Sequence, residues 1–157
     1  MGEGLIFCGY YIRYCVEQGE VLISSDPRNI SVLKEFPVPK SKKELESFLG
    51  MSLYLSKFTN KFSVSCTNLR ELCKFKGRWT STTWNEVYQK EFEDIKDLLS
   101  DPTNLSPYNP NLPLFLQVDS AKSPPGTGFM LYQEDPTGKK FILQLDSKKL
   151  PESYANY

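Results

Sequence analysis

The stretch "PTNLSPYNPNLP", residues 102–113, holds four of the eleven prolines in this 157-residue chain. Proline donates no amide proton and restricts the residue before it, so neither a helix nor a central strand runs through such a stretch. It reads as an extended linker between two differently patterned parts. Behind it come three strand candidates, "LFLQVD" (114–119), "GFMLYQE" (128–134) and "KFILQLD" (140–146), joined by "SPPGTG" and "DPTG". Both connections carry turn chemistry.

In front of it, "GLIFCGYYI" (4–12) reads as one strand, and "VLISS" (21–25) as its hairpin partner across a turn at Gly19. Asp26-Pro27 opens a short helix that Pro37 and Pro39 stop. A helix is expected over about 64–75. A stronger one starts at Trp84, where Tyr88, Phe92, Ile95 and Leu99 recur at i, i+4, i+7 and i+11 before Asp101-Pro102 ends it. The order of hairpin, helices and antiparallel strands predicts an α+β chain.

Between these lies "SKKELESFLGMSLYLSKF", residues 41–58. Ser41 and Glu44 form a capping box, in which the hydroxyl accepts from the amide three residues on and the glutamate reaches back. At 100° per residue, Leu45, Phe48, Leu49, Leu53 and Leu55 fall broadly on one side. Lys43, Gly50, Tyr54 and Lys57 fall on the other, with Lys61 if the helix continues that far. A glycine inside a helix costs about 1 kcal/mol against alanine, so Gly50 needs a reason. Lysines, an aromatic and a gap for close approach are ingredients of a nucleic-acid contact. By geometry alone, a solvated lysine-rich face accounts for the same pattern.

Composition excludes several classes. Hydrophobic residues make up 39% of the chain and aromatics 13%, enough for a core, yet no apolar run approaches a membrane span. The first residues lack the basic and apolar regions of a secretory signal, and Ile6 stands where a myristoylation signal needs Ser or Thr. An intracellular chain without membrane partners is expected. Histidine is absent, so no Ser-His or Cys-His nucleophile pair exists within the chain. The six residues within each pair of cysteines, Cys8/Cys15 and Cys66/Cys73, do not match zinc spacing, and reduced cysteines acting as small hydrophobes are expected. Net charge is zero, but residues 1–80 hold 12 Lys/Arg against 8 Asp/Glu and residues 81–157 hold 7 against 11. An anionic partner is therefore sought on the front half.

Asp119 ends the first strand after the linker. It is a candidate metal carboxylate, although a lone strand-end aspartate also serves as a turn former and a two-metal site needs several converging carboxylates. Asp146, Glu134 and Asp135 have no spacing that forces convergence with it. Trp84 is expected to be buried at its helix start.

Taken in order, these stretches resemble the Pol polyprotein of LTR retroelements, the gypsy class and its retroviral relatives. There the reverse transcriptase palm ends in an F-L-G-H-like strand, followed by a P-x-P-(x)5-L-x-x-F-L-G stretch and a Y-Y-R-R-F-I stretch. Here stand Phe7-Cys8-Gly9-Tyr10, then Pro37-Val38-Pro39, Leu45, Phe48-Leu49-Gly50, and Tyr54-Leu55-Ser56-Lys57-Phe58. Trp84, Phe92 and "DIKDLL" resemble the W-(x)7-F-x-x-L-K segment, "LFLQVDSA" the F-x-L-x-T-D-A-S strand of RNase H, and "SKKLPESYANY" the S-R-x-L-(x)3-E-x-N-Y that follows its third strand.

The resemblance implies a palm end with a primer-grip-like hairpin at 1–30 and a helical thumb-like subdomain at 31–78. A connecting helix and Pro-rich linker follow at 79–112, and the N-terminal part of an RNase H-like domain, a truncated antiparallel sheet, at 113–157. It places Phe7, Cys8, Gly9, Tyr10 and Tyr11 on the hairpin that holds the primer end. Lys43, Gly50, Tyr54, Lys57 and Lys61 fall along the template–primer, and Asp119 on the first RNase H carboxylate. The implied partners are an RNA–DNA or DNA duplex and the remainder of the Pol polyprotein. Mg2+ is implied for the intact enzyme, and no cofactor is expected on this part alone. No Y-x-D-D turn occurs here, the family's basic pair is reduced to Ser56-Lys57, and Asp119 is followed by Ser120-Ala121 in place of Ala-Ser. The part is therefore expected to be inactive in isolation. The alternative is a host-adopted remnant acting as a nucleic-acid or protein interaction module.

Overall fold

The computed structural model describes residues 4–156. Met1, Gly2, Glu3 and Tyr157 lie outside the described residues, and with them the Met-Gly opening and the end of "SKKLPESYANY".

The front stretch is two strands. β1 (Gly4–Phe7) and β2 (Tyr10–Cys15) are antiparallel, with Phe7 opposite Tyr10 across a two-residue turn. Cys8 (φ 51°) and Gly9 (φ 80°) both adopt left-handed backbone, which matches the twist of the flanking strands in so short a loop. β3 (Glu20–Ser25) pairs with β2 after Gly19 (φ 64°), so the expected hairpin is a three-stranded meander.

α1 (Pro27–Lys34) starts at Asp26, whose carboxylate accepts from the Arg28 amide at 2.9 Å and from its guanidinium. That hydrogen bonding from Arg28 lowers the Asp26 pKa. α2 (Lys42–Leu55) has the expected Ser41 cap, the hydroxyl accepting from the Glu44 amide at 3.2 Å. The return bond lands one residue early, since Glu44 accepts from the Lys40 amide at 2.7 Å. Leu45, Phe48, Ser52 and Leu55 share the buried arc of α2. Leu53 lies outside it and is 57% exposed, contrary to the helical-wheel expectation.

After a 3-10 turn at Ser56–Phe58, Thr59 turns extended and the helix ends. The next helix is also broken. α3 (Phe62–Ser65) and α4 (Thr67–Cys73) are separated at Cys66, where a single helix was expected. α5 (Glu86–Ser100) begins at Asn85, which accepts from the Val87 and Tyr88 amides, and buries Phe92, Ile95 and Leu99. Phe48 and Phe92 meet at the centre of this helical core, 4.5 Å between ring centroids. Trp84 is half-buried against Phe92 and donates from Nε1 to Gln89 at 2.8 Å. All four cysteines are free. Burial pushes the Cys66 thiol up to about 11, as expected of a cysteine serving as a hydrophobe.

The second sheet has the order β4 (Leu114–Lys122), β5 (Pro125–Glu134), β6 (Lys140–Lys149), all antiparallel. The strands are longer than the sequence pattern shows, and only Ser123-Pro124 joins β4 to β5. The Pro-rich segment has no helix, as expected, but it is pinned along its length. Leu105 exchanges both backbone hydrogen bonds with Ile23 at 2.7 Å, and Ser106 donates to the Ile142 carbonyl. Phe58, Leu105 and Leu145 form a second core with Tyr10, Ile23 and Met130, which joins the meander, the end of α2 and the second sheet.

Candidate nucleic-acid interface

The tight β1–β2 turn and the C-terminal half of α2 meet. Tyr54 donates its hydroxyl hydrogen to the Cys8 carbonyl at 2.7 Å, across 46 positions of sequence. Lys57, one turn on, holds Nζ 5.1 Å from the Tyr10 ring centroid and 5.2 Å from that of Tyr54. Tyr10 in turn packs edge-on against Phe58 at 5.9 Å. The Tyr10 hydroxyl raises the Lys57 pKa while burial opposes it, so the ammonium stays charged between two aromatic rings.

Gly50 lies one turn before Tyr54 on the exposed side of α2. A methyl group built there meets nothing within 4 Å. The chain's own packing therefore gives no reason for a glycine at this position. Lys43 is exposed two turns further toward the start of α2, about 10 Å from Gly50 at 1.5 Å per residue.

Gly9, Tyr10, Tyr54 and Lys57 are thus one physical cluster, with Gly50 and Lys43 along the same helix face. The other expected residues lie elsewhere. Phe7 is 63% exposed, and Tyr11, adjacent to Tyr10, faces the opposite side of the strand and packs over Gly4. Lys61 is not on the α2 face, because the helix has already ended and Lys61 instead precedes α3. It lines a pocket of about 290 Å³ with Asn60, Asp119, Gly126 and Gly128. The Cys8 carbonyl and the Phe58 ring also contribute; the resemblance includes both residues, but the sequence pattern shows neither contact. The signal for the first was the Cys-Gly pair between two aromatics, a two-residue turn read as continuous strand.

Asp119 stands opposite Gly128 on the exposed strand β4. Asp146 stands opposite Phe129, one position along β5. Side chains alternate between faces along a strand, so the two carboxylates point to opposite faces of the sheet. Among the described residues, no group of three or more Cys, Asp or Glu is placed to hold a metal ion. The donor set here does not fit a divalent cation. Among the described residues, no helix is long and apolar enough to cross a membrane.

Residues 84–157 match the sequence family described as the RNase H-like domain found in reverse transcriptase. In sequence the chain is similar to retroelement Pol polyproteins. Over 151 residues, 96% of its length, it is 30% identical to the transposon Tf2-3 and Tf2-4 polyproteins of Schizosaccharomyces pombe. It spans 10% of the length of these curated relatives. Among solved structures, the fold is shared with foamy viral protease-reverse transcriptase. In that protein's complex with dsDNA the likeness covers 98% of this chain and 30% of the other, with TM-score 0.78 and 19% identity. In its complex with RNA/DNA hybrid, the likeness covers 97% of this chain and 19% of the other, with TM-score 0.74 and 18% identity.

Proposed function

We propose that the β1–β2 turn and the exposed face of α2 together hold the template–primer duplex of a reverse transcriptase. In this reading residues 1–30 end the palm and 31–78 form the thumb-like unit. Residues 79–112 connect it to the RNase H-like part at 113–157, where Asp119 corresponds to the first carboxylate. The partners are an RNA–DNA or DNA duplex and the rest of the Pol polyprotein, which supplies the remaining carboxylates for Mg2+. The observation that carries the reading is the charged Lys57 held between Tyr10 and Tyr54, beside a glycine that the fold itself does not require. The ordered match along 96% of the chain favours this reading over a host-adopted module.

The test is a titration of fluorescent RNA–DNA hybrid with the 157-residue chain over a range of salt. Binding is expected to weaken steeply as salt rises. Lys57→Ala should lower the magnitude of the log–log salt slope by roughly 0.7–0.9, one phosphate contact. No binding at low salt, or an unchanged slope in the variant, would count against the reading.

A further inference from the structure

The Cys8–Gly9 turn is held from two sides. The Cys8 carbonyl accepts from the Tyr54 hydroxyl at 2.7 Å, and the Gly9 carbonyl accepts from the Asp26 amide at 3.0 Å. A side chain at Gly9 would fall directly onto the Tyr54 hydroxyl, and the backbone there (φ 80°) is one that side chains disfavour. Glycine at position 9 thus has a structural reason, which is room for the phenol. Tyr54 is 40% exposed, and its side-chain hydroxyl already has a partner within the chain.

We infer that Tyr54 is a positioning residue, whose hydroxyl latches the β1–β2 turn to α2 so that turn and helix meet a duplex as one surface. Its functional half rests on the duplex reading above. In this arrangement the Tyr54 hydroxyl is committed to the Cys8 carbonyl and its ring to Lys57. Direct contact with the duplex falls to Lys57 and to the open strip at Gly50. Without the latch, the turn keeps its bond to Asp26 and the packing of Tyr10 on Phe58 but loses its hydrogen bond to α2, so turn and helix no longer hold one fixed spacing. Preorganisation of this kind changes affinity without changing the number of phosphates engaged.

The deciding experiment compares the 157-residue chain with Tyr54→Phe and Gly9→Ala in two measurements. One is amide hydrogen exchange at Asp26, whose N–H reports the turn through Gly9. The other is titration with fluorescent RNA–DNA hybrid at several salt concentrations. Tyr54→Phe keeps the ring, and with it the Lys57 stack, while removing the donor. Exchange at Asp26 should rise about fivefold and hybrid affinity should fall about fivefold, the size of one hydrogen bond's net contribution. The salt slope should not change, in contrast to Lys57→Ala. Gly9→Ala should move both readouts in the same direction and further. Parental exchange in Tyr54→Phe would overturn the latch. Faster exchange with parental affinity would overturn its role in binding. Failure of the parent chain to bind hybrid would overturn the duplex reading, while the exchange comparison would still decide the latch.

Discussion

Replacing Phe48 with alanine should lower the unfolding free energy by about 3–5 kcal/mol, the usual range for emptying a fully buried phenylalanine site. Phe48 is completely buried. Its ring lies 4.5 Å from that of Phe92 and 5.4 Å from that of Phe36, so it ties α2 both to α5 and to the segment after α1. Phe92 cannot collapse into the void without leaving Trp84, against which it is also packed. Urea unfolding followed by circular dichroism measures the effect. The midpoint should fall sharply with little change in slope. A drop below about 1 kcal/mol would mean that the helical core is not centred on this ring.

The second large effect is expected at Gly128. A methyl group on this residue would stand 2.5 Å from the Asn60 carbonyl oxygen and 3.4 Å from Asn60 Cβ. The closer atom is backbone and cannot swing aside. Gly128→Val should therefore push the second sheet off the 59–64 segment, at a cost of about 3 kcal/mol, the upper end for overpacking. That displacement would break the hydrogen bond from the Ser63 amide to the Ser147 hydroxyl at 2.7 Å and separate Phe58 from Leu145. A thermal melt should shift down by many degrees, and Gly128→Ala should give a smaller shift in the same direction. A parental melting temperature for the valine variant would show that the sheet does not sit as described.

The order of elements was readable because each part carries its own pattern. α5 shows its 3.6-residue repeat, the last three strands are apolar runs bounded by turn residues, and Ser41 with Glu44 marks a helix start. What the pattern concealed was decided by single residues or by distant ones. The turn at Cys8-Gly9 is hidden because cysteine does not advertise positive φ. The end of α2 is hidden because apolar residues continue through Phe58 and Phe62 while Thr59 leaves the helix. This break removes Lys61 from the basic face and sets it near Asp119. The facing of Asp119 and Asp146 depends on strand register, which residue spacing does not give. The resemblance picked out Gly9, Tyr10, Tyr54 and Lys57, but only the fold shows that the Tyr54 hydroxyl is spent on the chain's own backbone.

Gly50 offers the most direct test of the central claim, because folding and duplex binding demand opposite things of it. The position is exposed, helical and without neighbours within 4 Å. For folding alone, Gly50→Leu should raise stability by about 0.5–1 kcal/mol, the helix-propensity difference. For a duplex lying on the α2 face, the same leucine occupies the space the duplex needs. Thermal unfolding and hybrid titration of one protein preparation measure both. The expected result is equal or higher stability together with at least about tenfold weaker binding, roughly 1.4 kcal/mol. Parental affinity in a stable Gly50→Leu protein would contradict the account.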